Sequence, residues 1–324
     1  LFVKDQFDWE QESGTPIGFI EWVNNWPMMS SPFPTIFICL FYAYFVKVLG
    51  PKLMENRKPF NLRKVMLFYN LFQVILSTWL FHELNYFKNS LVSGWGGHYS
   101  FRCQPVDYSD NPLAIRMAHG CWWYYFSKFT EFFDTILFVL RKKNNHISIL
   151  HVIHHGCMPI SVWFGVKFTP GGHGSFFGML NTFVHIVMYS YYFLAALGPK
   201  IQPYLWWKKY LTVLQMVQFI LVVLHAFQLL FIDCNYPKVF VWWIGLHGVM
   251  FYFLFRNFYN QSYGKRKSPN QHGSETKTGF TRRYVYRMRH SKYTMYTNGS
   301  VNTMDYEEIQ YRDTDFVYPE YVGR

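Results

Sequence analysis

Seven apolar runs, each long enough to cross a bilayer, constrain this chain more than any other feature: about 34–50, 65–87, 115–140, 146–167, 174–197, 209–231 and 238–260. Inside hydrocarbon every backbone N–H and C=O needs a partner within the protein, which runs of this length supply by coiling into helices. The expectation is an all-α, polytopic membrane protein with seven transmembrane helices. Composition agrees once it is read by region. The chain is 51% hydrophobic, 22% aromatic and only 15% charged, against roughly 25% charged in an ordinary globular domain. The mean hydropathy of −0.03 is pulled down by a polar tail after about residue 262 and by the many Tyr and Trp side chains.

The breaks between runs carry Pro, Gly and charge: Gly50-Pro51-Lys52, Thr169-Pro170-Gly171-Gly172, Gly198-Pro199-Lys200 and Asn235-Tyr236-Pro237. Charge alternates from one loop to the next. Lys52, Arg57, Lys58, Arg63 and Lys64 fill the first loop, Arg141, Lys142 and Lys143 the third, and Lys200, Lys208 and Lys209 the fifth. The tail opens with Lys265-Arg266-Lys267, whereas loops 88–114, 168–173 and 232–237 are poor in Lys and Arg. Every basic loop thus falls on one side, so the positive-inside rule predicts a lumenal or external N-terminus and a cytosolic C-terminus. The net charge of +12 is accounted for by these loops and the tail, and nucleic acid is not implied as a partner.

Three regions follow: an N-terminal lumenal segment 1–33, acidic through Asp5, Asp8, Glu10, Glu12 and Glu21; a seven-helix domain 34–261; and a cytosolic basic and Tyr-rich tail 262–324. The tail is read as mostly disordered, with Arg282, Arg283, Arg287 and Arg289 available to anionic headgroups. No signal peptide stands out, and a start at Leu1 is read as a truncated N-terminus. Cys103 and Cys234 lie in lumenal loops, an oxidising setting in which they are expected to pair. Cys39, Cys121 and Cys157 fall within runs and are read as small core residues. The sequons at Asn260 and Asn298 are cytosolic by this topology and should be unused.

The polar residues inside the runs carry the chemistry, because each intramembrane charge costs about 2.5–3.5 kcal/mol on insertion scales. Lys128, Glu131, Asp134 and Thr135 share one broad helical face. The plain alternative for Lys128 and Glu131 is an ion pair that locks helix packing. His151, His154 and His155 open the fourth run just inside the basic loop, within one turn of each other. The fifth run supplies Asn181, His185, Met188, Tyr189, Tyr191 and Tyr192, and the sixth Thr212, Gln215 and Gln218. A single buried histidine such as His225 or His247 is better read as a satisfied core residue. Four histidines, two carboxylates, a lysine and two glutamines in four helices exceed what packing alone needs. By depth these groups can converge on one buried site that opens to the cytosol, with an apolar tunnel beyond it suited to a lipid with a reactive head.

Imidazole offers two chemistries here. Histidine-box lipid desaturases and hydroxylases hold iron with several histidine clusters, but of thirteen histidines only one cluster has this spacing. A single zinc on the box and His185 is a weaker option, since no His-Glu-x-x-His arrangement is present. Neutral imidazole is also a good nucleophile toward thioesters, and an acyl-imidazole is itself an acyl donor. A seven-helix receptor shares the helix count, but does not need such a cluster at its cytosolic end. A transporter should show paired broken helices in two related halves, which the sequence lacks.

Four motifs occur in order: Lys128-x-x-Glu131-x-x-Asp134-Thr135, the box His151 to His155, Asn181-x-x-x-His185-x-x-Met188-Tyr189-x-Tyr191-Tyr192, and Thr212-x-x-Gln215-x-x-Gln218-Phe219. Together they resemble the ELO family of very-long-chain fatty acid elongases, over about residues 20–265. Val152 and Ile153 within the box, and Gly156-Cys157-Met158-Pro159 after it, resemble the branch acting on saturated and monounsaturated chains.

The resemblance implies an endoplasmic reticulum enzyme that condenses a long-chain acyl-CoA with malonyl-CoA to a 3-oxoacyl-CoA two carbons longer, CO2 and CoA. It needs no cofactor or metal, works with the reductases and dehydratase of the elongation cycle, and leaves homo-oligomerisation open. The roles implied are His154 as nucleophile, His151 and His155 as its orienting or deprotonating partners, and Asn181 and His185 as oxyanion stabilisers. Lys128, Glu131, Asp134, Thr135, Tyr189, Tyr192, Gln215 and Gln218 support the site, and Arg141, Lys142, Lys200, Lys208 and Lys209 are candidates for the anionic CoA. The chain ends Tyr321-Val322-Gly323-Arg324, without the terminal lysine retrieval signal common in that family.

Overall fold

The computed structural model describes residues 23–85, 99–110, 112–263, 288–289, 292–297 and 300–305. The acidic residues before Trp22, the Lys265-Arg266-Lys267 cluster, Arg282, Arg283 and Arg287, and the sequon at Asn298 lie outside the described residues. Two compact units divide the chain, Leu1–Gln261 and Ser262–Arg324.

The first unit is helical. Its elements are α1 (Phe33–Tyr44), a π turn (Phe45–Leu49), α2 (Gly50–Met54), α3 (Arg63–Asn85), α4 (Pro112–Thr130), α5 (Phe132–Leu140), α6 (Ile149–Phe168), α7 (Ser175–Ala196), α8 (Lys208–Phe227) and α9 (Lys238–Tyr263). Among the described residues, five stretches are long and apolar enough to cross a membrane: Phe33–Met54, Arg63–Leu84, Ile149–Phe168, Lys208–Leu230 and Lys238–Tyr263. Two helical stretches that the sequence reading counts as spans are not among them. They are α4 with α5, and α7, which carry the charged and amide side chains of the site.

Polarity runs inside out, as a lipid-facing bundle requires. Phe33 and Phe68 are each 75% exposed and Phe37, Leu40, Ile75, Leu224 and Trp242 are also exposed, whereas Lys128 and Glu131 are each 2% exposed. Lipid is as apolar as these helices, so their association relies on close packing and buried polar bonds. A Cβ at Gly248 would stand 2.8 Å from Val223 Cγ2, so glycine lets α9 approach α8. α3 packs along α7, α1 along α6, and α6 along α4.

Gly50-Pro51 does not end the first helix, contrary to the sequence reading. Proline is tolerated in a first turn, where its absent N–H has no role, and Pro51 sits there in α2 after the π turn. The run 115–140 is also not one helix. It divides at Glu131, between α4 and α5: the Glu131 N–H still bonds the Ser127 carbonyl at 3.1 Å, but the Glu131 carbonyl accepts from the Asp134 N–H at 3.2 Å in a tighter turn. Ser148 caps α6 by accepting from the His151 backbone N–H at 3.1 Å, which sets the start of the histidine box. Gly171, with φ of +73°, makes the turn into α7, and a Cβ there would meet Met117 Cγ at 2.6 Å.

Residues 23–29 pack into the main core rather than standing clear of it. Val23 and Met29 are buried, and Trp163 Nε1 and Lys167 Nζ donate to the Met28 and Met29 carbonyls at 2.8 and 2.9 Å. At the opposite end from Ser148, Cys103 and Cys234 form a disulfide across a sequence separation of 131. Beside it Tyr99 donates to the His173 carbonyl at 2.9 Å, and burial lowers the His173 imidazole pKa. Cys103→Ser is expected to cost about 2–4 kcal/mol, read as a lower thermal midpoint that matches that of reduced wild type.

The second unit carries three antiparallel strands, β1 (Met288–Arg289), β2 (Lys292–Thr297) and β3 (Ser300–Asp305), in the order β1-β2-β3. The segment Tyr293-Thr294-Met295-Tyr296-Thr297 is rich in strand-forming types, and Asn298-Gly299 is a two-residue hairpin signal read above only as part of a sequon.

Candidate active site

Glu131, at the break between α4 and α5, is the hub. Its Oε1 accepts from Lys128 Nζ at 2.6 Å and lies 3.3 Å from His185 Nδ1, and its Oε2 lies 3.9 Å from His155 Nδ1. Lys128 Nζ also donates to Asn181 Oδ1 at 3.0 Å, and Tyr124 OH donates to the same oxygen at 2.8 Å. Three helices (α4, α6 and α7) are thereby joined at one buried carboxylate. An ammonium within hydrogen-bond distance of that carboxylate is what makes burial of either charge tolerable.

The histidine box has three distinct environments. His151 Nε2 shares a 2.7 Å hydrogen bond with Thr135 Oγ1, which in turn meets Tyr42 OH at 2.7 Å. His155 is buried beside His151, with ring centroids 4.3 Å apart, and its Nδ1 has no hydrogen-bond partner. The His154 imidazole makes no hydrogen bond among the described residues. Its ring stands edge-on to Phe251 at 4.9 Å and to His155 at 5.2 Å. Pro159, inside α6, has no N–H to give the His155 carbonyl one turn before it, so the helix is loosened at the box.

Beyond the box lies an apolar cavity of about 90 Å3. Tyr124, Met158 and Phe251 line it at the histidine end, and Thr169, Gly171 and Tyr236 at the other. Tyr236, outside the helices, has a hydroxyl pKa pushed up to about 12 by burial, so it stays neutral.

The other expected site residues are placed as follows. Asp134 accepts from Tyr189 OH at 2.8 Å, and Tyr189 presents an edge to His185 at 5.7 Å. Tyr192 packs edge-on against Tyr189 and Tyr191 rather than facing Glu131. Gln215 Nε2 donates to Met188 Sδ at 3.5 Å, and Gln218 is buried on the same helix. The five cations lie at the helix ends nearest the start of α6. Arg141 Nη1 donates to Met66 Sδ at 2.9 Å and Lys142 Nζ to the Glu55 carbonyl at 2.9 Å. Lys209 Nζ lies over the Tyr210 ring at 4.8 Å, Lys200 is exposed, and Lys208 begins α8.

Sequence reasoning passed over Tyr124, Tyr42 and Phe251. Tyr124 carried a signal: it precedes Lys128 by one turn and Glu131 by two, on the same face. The partners of Tyr42 and Phe251 are far away in sequence, and no local pattern marks them.

A buried imidazole, carboxylate, ammonium and amide cluster close to an apolar cavity, within a bundle whose outer faces are greasy, defines a membrane-embedded protein with its reactive groups inside the helices. Residues 27–271 match the GNS1/SUR4 (ELO) family, and the chain belongs to it. It is 68% identical over 244 residues to very long chain fatty acid elongase AAEL008004 of Aedes aegypti, covering 75% of this chain and 66% of that protein. It is 61% identical over 279 residues to very long chain fatty acid elongase 7 of Drosophila melanogaster, covering 86% and 83% respectively. With human very long chain fatty acid elongase 1 it shares 48% identity over 247 residues, covering 76% and 86%.

Proposed function

We infer that this protein is the condensing enzyme of fatty acid elongation, taking a long-chain acyl-CoA and malonyl-CoA to 3-oxoacyl-CoA, CO2 and CoA. Family membership supports the activity, and the observation that carries the mechanism is His154, an imidazole without a hydrogen bond among the described residues that packs on Phe251, a side chain lining the apolar cavity. The acyl chain lies in the cavity with its thioester at His154. An imidazole nitrogen attacks the thioester carbonyl, the C–S bond breaks, and CoA leaves with the imidazole proton. Malonyl-CoA then loses CO2, and the electron pair of the broken C–C bond forms an enolate. That enolate attacks the acyl carbon, a C–C bond forms, the C–N bond to His154 breaks, and the departing imidazole nitrogen takes up a proton from solvent, which restores the neutral ring. Asn181 and His185 hold the oxyanion, a contribution of about 2.7–4 kcal/mol per donor in comparable sites. Lys128 and Glu131 hold the geometry, and His151 and His155 orient the nucleophile. Lys200, Lys208 and Lys209, with Arg141 and Lys142, face the CoA phosphates.

In the membrane the bundle crosses seven times, α4 with α5 and α7 being the two polar crossings, in the endoplasmic reticulum. The basic loops set the C-terminus in the cytosol and the N-terminus in the lumen. The Cys103–Cys234 disulfide supports this side as the oxidising one. The elongation reductases and dehydratase consume the product. The proposed reaction uses no metal, and Glu131, paired with the Lys128 ammonium at 2.6 Å, is a poor candidate for a ligand. Membranes carrying the chain, given labelled malonyl-CoA and palmitoyl- or stearoyl-CoA, should place label in a chain two carbons longer, with unchanged yield after EDTA. Absence of labelled lipid from well-expressed protein would refute the reading, and a loss on chelation that zinc or iron restores would favour the metal alternative.

A further inference from the structure

The amide of Asn181 is held by an arrangement that fixes which of its ends faces the reaction. A lysine ammonium can only donate, so the atom it approaches at 3.0 Å is the carbonyl oxygen Oδ1 and not the NH2. Tyr124 OH spends its proton on that same oxygen at 2.8 Å. Both bonds are buried, and Lys128 Nζ lies 4.4 Å from the Tyr124 ring centroid, so the three groups form one packed unit. The oxygen has two lone pairs, and both are now taken. The NH2 makes no hydrogen bond among the described residues, which leaves it available as a donor. His185 follows Asn181 by one turn on the same face of α7 and is tied to Glu131 at 3.3 Å. Tyr124, one of the two donors to Asn181, itself lines the apolar cavity, so the pinned amide is tied directly to a cavity wall.

We propose that Tyr124 is a positioning residue for the condensation: with Lys128 it pins the Asn181 carbonyl oxygen and presents the amide NH2 as a donor to the thioester oxygen where negative charge develops. The ammonium on Oδ1 also polarises the amide, which strengthens its N–H groups as donors. This rests on the condensing reading above, and extends it to a residue that acts only through Asn181.

The test is a double-mutant cycle on the purified full-length protein with stearoyl-CoA and labelled malonyl-CoA. Tyr124→Phe keeps the ring and removes one bond, and should lower kcat about tenfold while KM for acyl-CoA, product length and thermal midpoint hold. Asn181→Ala should lower kcat about 10²–10³-fold, and adding Tyr124→Phe to it should cause no further loss, because the tyrosine then has nothing to position. Asn181→Asp keeps an acceptor for both Tyr124 and Lys128 but has no NH2, and should be as slow as Asn181→Ala. Three results would each overturn the proposal: full kcat in Tyr124→Phe, losses that multiply in the double variant, or a changed product length that marks Tyr124 as cavity wall only. Turnover retained in Asn181→Asp would overturn it even if Tyr124→Phe failed to fold. A wild-type protein without turnover would refute the condensing reading itself, and this inference with it.

Discussion

His154→Ala is expected to lower the condensation rate by about 10³-fold or more while the protein still inserts and folds, because removal of a covalent nucleophile leaves only binding and oxyanion stabilisation. The three imidazoles of the box are not equivalent. His151 is tied to Thr135 at 2.7 Å, and His155 is buried between His151 and Glu131. His154 alone of the three combines an unbonded ring with contact to a cavity-lining side chain, Phe251. Its ring contacts are with aromatic edges, so its loss unpairs no buried hydrogen bond and the thermal midpoint should move little. His151→Ala, by contrast, strips Thr135 of a buried partner and should lower stability as well as rate. Turnover by His154→Ala within tenfold of wild type would mean that another group takes the acyl chain.

Glu131→Ala is expected to damage the fold as well as the chemistry. The carboxylate is 2% exposed and accepts from the Lys128 ammonium at 2.6 Å. Removing it leaves that ammonium buried with only a neutral amide oxygen, Asn181 Oδ1, and a tyrosine ring near it. Breaking a buried pair from one side typically costs about 3–5 kcal/mol, more than the pair contributes when intact. The variant should show a large drop in thermal midpoint and yield in detergent, with no measurable turnover. Lys128→Met in the same chain removes the orphaned charge and should restore much of the midpoint but none of the activity. A double variant no more stable than Glu131→Ala would show that the carboxylate, not the unpaired charge, decides the fold.

Much of the helical body is legible in the sequence because hydrocarbon-length apolar runs admit few structures. Predicted runs 146–167, 174–197 and 238–260 lie close to α6 (Ile149–Phe168), α7 (Ser175–Ala196) and α9 (Lys238–Tyr263). Periodicity also marks which polar residues share a face, which is how Lys128 and Glu131, or Asn181 and His185, can be grouped before their contacts are known. What it does not carry is how a helix responds to its neighbours. No Pro or Gly marks the break at Glu131; the charges at Lys128, Glu131 and Asp134 interrupt the apolar run but do not say where the helix tightens. Gly50-Pro51 looks like a stop, yet the π turn before it lets the helix continue. Tyr42 reaches Thr135, and Trp163 reaches the Met28 carbonyl, across sequence distances that no local pattern spans.

The most direct measurement is mass spectrometry of the protein incubated with stearoyl-CoA while malonyl-CoA is withheld. The account predicts a stearoyl group on the peptide that carries the histidine box, located at His154, which disappears when malonyl-CoA is added. An active enzyme that never carries that adduct, or carries it on His151, His155 or His185 instead, would contradict the account.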